Sequence, residues 1–355
     1  MIERGCVDKN SFDDRAGISG GASASISIPD AGIGGPPKAR VFATAHLRTS
    51  GILLALLLLI AIVEIADPSF LRVTNIFNML GQWALAGIMA VGMTLVIIAG
   101  GFDLSIASGF SLCAIVAALL GADGYPLSVA MLGAVATGLA VGGVNGALVA
   151  LLGINPFIAT VGSGFIFLGI DFLATPSTYI RVDQAGFDAL GAGSWLLFPF
   201  RGMILLAFLV LGEAVLAKTI YGRYIYAVGA NATVSRLSGL PVGLIVASTY
   251  VVSGLCMGIA GALAASQLGT AQARMEPTIV YDVLAAVVIG GTSLSGGAGA
   301  MWRTAAGLAI LATISNGFTL IGLNPLHQGI VKGGIIILAL AIDRWTSQLA
   351  RHRGG

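Results

Sequence analysis

The stretch Thr94–Leu112, TLVIIAGGFDLSIASGFSL, sets a carboxylate and a glycine pair inside an apolar run of the kind that crosses a bilayer. An ionisable side chain at that depth is expensive and is kept where it has a purpose. Two roles are open for Asp103. It lines or anchors a path through the membrane, or it caps a helix that starts just after it, accepting a backbone N–H and meeting the positive helix end. Capping is the expectation.

Composition extends the membrane reading to the whole chain. Hydrophobic residues make up 57% and charged residues 10%, with a mean hydropathy of +0.95, whereas soluble domains carry about 25% charged residues. The long uninterrupted apolar runs exclude a β-barrel, whose strands alternate over about ten residues. The 51 glycines among 355 residues point to helices that approach backbone to backbone, because lipid supplies no hydrophobic drive between them. The fold class is therefore all-α, a polytopic helical membrane bundle. Cys6, Cys113 and Cys256 are far apart and suggest neither disulfide nor metal site. His46, His327 and His352 form no ligand pair, so no metal is expected. A net charge of +2 without a basic and aromatic cluster excludes nucleic acid as a partner.

A crossing helix needs about 20 largely apolar residues. On that criterion about ten spans are expected, near 50–66, 79–99, 104–121, 127–151, 157–174, 196–217, 242–264, 281–297, 303–322 and 328–343. Those ending at Gly100 and beginning at Asp282 are candidates for half-helices or re-entrant segments. Residues 1–47 are too poor in large apolar groups to offset their ordering entropy. A disordered cytoplasmic tail is expected there, then a transmembrane domain over 48–345 and a short cytoplasmic tail over 346–355. Lys and Arg are retained on the cytoplasmic side. With the N-terminus inside, only Arg72, Arg181, Arg201, Arg274 and Lys332 fall outside, so both termini are expected in the cytoplasm.

Two segments echo each other: Gly100-Gly101-Phe102-Asp103-Leu104-Ser105 and Gly290-Gly291-Thr292-Ser293-Leu294-Ser295. Transporters are commonly built from such repeats. The longest charged inner loop, Lys218–Val242, reads KTIYGRYIYAVGANATVSRLSGLPV. It combines Arg223 and Arg236 with Tyr221, Tyr224 and Tyr226, and carries turn punctuation at Gly229-Ala230-Asn231 and Gly239-Leu240-Pro241. It reads either as a solvated connector or as a short helix-turn-helix presenting a basic and aromatic face to a partner.

These segments resemble, in order, the motifs of the ribose/xylose/arabinose-type ABC importer permeases. The Gly100-Gly101 stretch is similar to VIxxGGIDLSVGS, and the charged loop to GRxIYAxGxNxxAARLSGxxV through Gly222, Arg223, Tyr226, Gly229, Asn231, Arg236 and Gly239. YDVLAAVVIGGTSLSGGAGA (281–300) and HQGIVKGGIIILALAID (327–343) match two further motifs. The loop departs at Thr233-Val234-Ser235, where the family has an Ala-rich helical turn; Thr278-Ile279-Val280 and Leu326-His327 depart on the outer side.

The resemblance implies a permease subunit in the bacterial inner (plasma) membrane that moves a small polar solute, expected to be a monosaccharide, by alternating access. It implies residues 218–242 docked on a separate ABC ATPase subunit, which binds ATP and Mg. It also implies a periplasmic or extracellular sugar-binding protein and a second permease copy or paralogue, all within membrane lipid. This chain is expected to be no enzyme: Gly212–Thr219 lacks the second glycine of a phosphate-binding loop. Asp103, Ser105, Asp171 and Asp282 are the candidates for path-lining groups or helix caps. Glu64, Glu213, Asp343 and Lys332 are expected at the interfaces. Asp103, Asp171 and Asp282 keep open a single-chain secondary transporter or facilitator.

Overall fold

A computed structural model of the chain describes residues 38–175, 179–323, 327–331, 333, 334 and 337. Its helices are α1 (Lys38–Ala66), α2 (Val73–Gln82), α3 (Ala84–Ile98), α4 (Ile106–Ala122), α5 (Leu127–Ala150), α6 (Pro156–Ala174), α7 (Phe200–Lys218), α8 (Ile220–Ala230), α9 (Ala232–Leu237), α10 (Val242–Leu268), α11 (Ile279–Ile289) and α12 (Met301–Leu320). Four two-residue strands, β1 (Ile180–Arg181), β2 (Ser194–Trp195), β3 (Phe198–Pro199) and β4 (Thr270–Ala271), form the antiparallel pairs β1–β4 and β2–β3 in the connections. In β1–β4, Ile180 faces Ala271. The architecture is an all-helical membrane bundle.

Two helices form its centre. All residues of α3 but Leu85 are buried, as expected of a helix that is apolar all round. α10 lies against α3, α4 and α5, and small residues make that possible. A Cβ on Gly142 would strike the Tyr250 carbonyl, and one on Gly254 the Gly138 carbonyl. On the other flank, a Cβ on Gly92 would stand 2.7 Å from Ser253 Cα. Gly138, Gly142 and Gly146 repeat at four-residue spacing on α5, as do Gly254 and Gly258 on α10, the small-xxx-small arrangement of closely crossing membrane helices.

Among the described residues four helices, α5, α6, α7 and α10, are long and apolar enough to cross a membrane alone, five if α2 and α3 count as one span bent by 53°. Gly51–Ala66 of α1, α4 and α11 are apolar but shorter. The expected span at 79–99 is thus broken at Trp83. The one at 281–297 stays helical only to Ile289, because Gly291 (φ +77°) closes α11 and Gly296 and Gly297 turn the chain back (φ +80° and +72°). Eleven residues rise only about 16 Å at 1.5 Å each, half a bilayer core. α1 starts at Lys38, ten residues inside the segment expected as a tail. The expected span at 328–343 falls largely outside the described residues, as do Lys332 and Asp343.

Candidate functional site

The link between α3 and α4 gives the Thr94–Leu112 stretch its shape. Gly100 takes φ +88°, its N–H donating to the Ile97 carbonyl and the Gly101 N–H to the Val96 carbonyl, both at 2.9 Å. This is the glycine-dependent Schellman closure of a helix. Asp103 follows, fully buried. Its Oδ1 accepts the Ser105 N–H at 3.1 Å and the Ser105 hydroxyl at 2.7 Å, while Oδ2 accepts from Ser253 Oγ of α10 at 3.1 Å. The N-cap position of α4 belongs to Ser105. The capping expectation is therefore corrected by two residues: Asp103 closes an Asx turn ahead of the helix and also bridges to α10.

The network continues through helices whose polar members escaped the sequence reading. Ser105 Oγ accepts from Asn145 Nδ2 of α5 at 2.7 Å, and Asn145 Oδ1 accepts from Ser163 Oγ of α6 at 2.5 Å. Thr160 of α6 accepts the Leu104 N–H at 3.1 Å. Asp103, Ser105, Asn145, Thr160, Ser163 and Ser253 are all buried, so the cluster ties four helices together with its polar atoms matched. Asparagine within an apolar helix was the available signal.

The other candidates separate. Asp171 is buried on the inner face of α6, and neither carboxylate oxygen has a hydrogen-bond partner among the described residues. Asp282 stands in the first turn of α11 and lines a cavity of about 830 Å³ at the end of the bundle opposite α8 and α9. Gln82 and Trp83 at the α2–α3 bend line it too, with Gln267, Glu276, Tyr281 and Gln328. Its charged members among the described residues are Glu276 and Asp282, both acidic. Glu213, expected at an interface, has a more specific role: its carboxylate accepts the Met301 and Trp302 N–H groups at 3.0 and 3.2 Å. The N-cap residue of α12 is Ala300, which has no capping side chain, so Glu213 of α7 supplies the cap.

The Lys218–Val242 segment folds as two short helices. Thr219 caps α8 by accepting the Gly222 N–H at 3.0 Å, and Asn231 caps α9 by accepting the Val234 N–H at 3.0 Å. Thr233-Val234-Ser235 is helical after all, since the Asn231 cap replaces what an Ala-rich turn would supply. Gly239 (φ +84°) ends α9. Gly222 and Gly229 serve packing: a Cβ would strike the Val215 and Leu216 carbonyls at the first, the Ile98 carbonyl at the second. Tyr226 Oη donates to the Gly299 carbonyl at 2.8 Å, and Tyr221 Oη shares a 2.7 Å hydrogen bond with Ser248 Oγ. Burial raises both phenols above their ordinary range, keeping them protonated. Arg223, Tyr224, Val234, Arg236 and Leu237 remain exposed on the other side of the pair.

Apolar helices broken by glycine turns, a buried polar cluster and a structured polar-end segment define a helical protein of the multi-pass membrane class. Residues 75–340 match the family described as branched-chain amino acid transport system / permease component, and the chain belongs to that family. It is 38% identical over 312 residues to a ribose import permease protein of Escherichia coli strain K12, covering 86% of this chain and 96% of the relative. A galactose/methyl galactoside import permease protein of the same strain is 35% identical over 325 residues, 84% and 94% of the two chains. An L-arabinose ABC transporter permease protein of Azospirillum brasilense is 32% identical over 319 residues, 89% and 93% of the two. No solved structure gives a significant match. The chain is thus the permease subunit of an ABC importer rather than a single-chain secondary transporter. It is not itself an enzyme, and ATP hydrolysis resides in a separate subunit.

Proposed function

We propose that the solute is a neutral monosaccharide. The observation that carries this is the lining of the 830 Å³ cavity. Trp83 and Tyr281 offer aromatic rings against which a sugar's C–H faces pack, and Gln82, Gln267, Asp282 and Gln328 offer hydrogen-bond partners to its hydroxyls. The three relatives named for sugars support the same choice. The test is uptake of labelled D-ribose, D-galactose, L-arabinose and L-leucine by cells with and without the gene. Loss of one sugar with leucine unchanged is expected; loss of leucine alone overturns the reading.

Two copies of the chain, or this chain and a paralogue, enclose the path. A soluble binding protein delivers the sugar at the cavity end, and α8–α9 dock on an ATPase subunit that binds ATP and Mg. Both termini then lie in the cytoplasm with α8–α9. The exposed Arg223, Arg236, Tyr224, Val234 and Leu237 support that docking face, an apolar ridge with a basic rim. Arg223→Glu should abolish co-purification of the ATPase and uptake while leaving membrane insertion intact. Unchanged co-purification and uptake would remove the docking assignment.

A further inference from the structure

The inner side of α8 meets two turns that lie far from it in sequence. Gly229 packs so closely on the end of α3 that a Cβ there would strike the Ile98 carbonyl and stand 2.7 Å from the Gly297 nitrogen. The Gly297 N–H itself donates to the Ile98 carbonyl at 2.8 Å. A Cβ on Gly296 would lie 2.8 Å from the Gly229 carbonyl oxygen and 3.0 Å from Gly100 Cα. One helical turn before Gly229, Tyr226 reaches the Gly299 carbonyl. Three glycine motifs separated in sequence by more than 60 residues at each step thus share one backbone-to-backbone contact.

We propose that Gly229 and Tyr226 form the joint through which a displacement of α8 is passed to the Gly100–Ser105 and Gly290–Ala300 turns; this rests on the reading that α8–α9 dock on an ATPase. The physical reason is stiffness. Side chains absorb small displacements by changing rotamer, whereas glycine backbones in contact have no such slack, and packed interiors respond by switching rather than by yielding. From Gly100 the displacement reaches Asp103 three residues on, and with it the polar cluster holding α4, α5, α6 and α10. From Gly299 it reaches the start of α12, which Glu213 clamps to α7. Tyr226 is a positioning residue here: its hydroxyl points at Gly299, away from the exposed face of Arg223 and Tyr224.

The test uses the importer assembled with its own ATPase and binding protein in proteoliposomes and does not depend on which solute it carries. Tyr281→Cys, at a position 63% exposed beside the far cavity, is labelled from that side with a membrane-impermeant maleimide, with and without ATP and vanadate. In this parent the trapped nucleotide is expected to change the labelling rate about fivefold, the lower end of allosteric couplings. Adding Tyr226→Phe should abolish that change while the ATPase still co-purifies and hydrolyses ATP. Gly229→Ala should do the same, and if it does not assemble, Tyr226→Phe decides alone. A merely structural role would lower the yield of assembled importer yet leave the nucleotide response per importer intact, which overturns the proposal. A parent with no nucleotide response, or an ATPase that stays bound in Arg223→Glu, removes the docking reading itself and the joint with it.

Discussion

Asp103 shows how one residue carries local and long-range duties together. Its carboxylate holds three hydrogen bonds, two from Ser105 and one from Ser253. Asp103→Asn keeps an acceptor toward Ser105 and offers an N–H₂ toward the Ser253 hydroxyl, whereas Asp103→Ala orphans buried groups at about 1–3 kcal/mol each. Near-normal uptake and melting temperature are expected for asparagine, and a clear drop in detergent melting temperature for alanine. A folded but inactive Asp103→Asn would show that the negative charge itself takes part in transport. Glu213 gives a second case. Glu213→Ala removes the α12 cap and should cost about 1 kcal/mol, while Glu213→Gln, which keeps an oxygen for the Met301 and Trp302 N–H groups, should melt close to the parent. The sequence pointed to Asp103 because a carboxylate in an apolar run stands out; it could not point to Glu213 as a cap, since the helix it serves starts 88 residues later.

At the scale of elements, glycine has two separable uses. Gly142 and Gly143 are neighbours on α5, yet a Cβ on the first would strike the Tyr250 carbonyl while the second has nothing within 4 Å. Gly142→Ala should force α5 off α10 and lower thermal stability, whereas Gly143→Ala should be neutral or raise it by about 1 kcal/mol through helix propensity. Melting temperatures of the two variants, measured side by side, decide the point; equal loss in both would show that α5–α10 packing is not set by backbone contact. The other use is termination. Gly100 ends α3 and Gly291 ends α11 through the same closure, the latter with Gly291 N–H on the Val288 carbonyl at 2.8 Å and Thr292 N–H on Val287 at 3.2 Å. The two echoing motifs are therefore structurally related, but shifted by one residue: the first glycine of one pair corresponds to the second of the other. No inspection of letters could reveal that shift, because either glycine can adopt the left-handed conformation and neighbouring packing selects which one does.

Across the whole molecule, the family match begins at residue 75, well after the polar preface. Removing residues 1–37 should therefore leave insertion and transport intact, read by uptake and thiol accessibility. An inverted topology in the shortened chain would show that Arg4, Lys9 and Arg15 set the orientation. The sequence by itself determined the class: apolar runs of membrane length allow only helices in which each backbone group is satisfied within its own segment, and ordered motifs over most of the chain carried the family. It also marked the charged loop and Asp103, because charge in an apolar setting is locally conspicuous. Only the tertiary structure decided that Asn145, Ser163 and Ser253 complete the polar cluster, that Trp83 and Asp282 share a cavity, and that Gly100, Gly229 and Gly296 meet. The reason is physical: local propensity and hydropathy act over a few residues, while the partner of a buried hydroxyl or of a bare glycine backbone is chosen by which helix faces pack together, and that choice is made by the whole bundle.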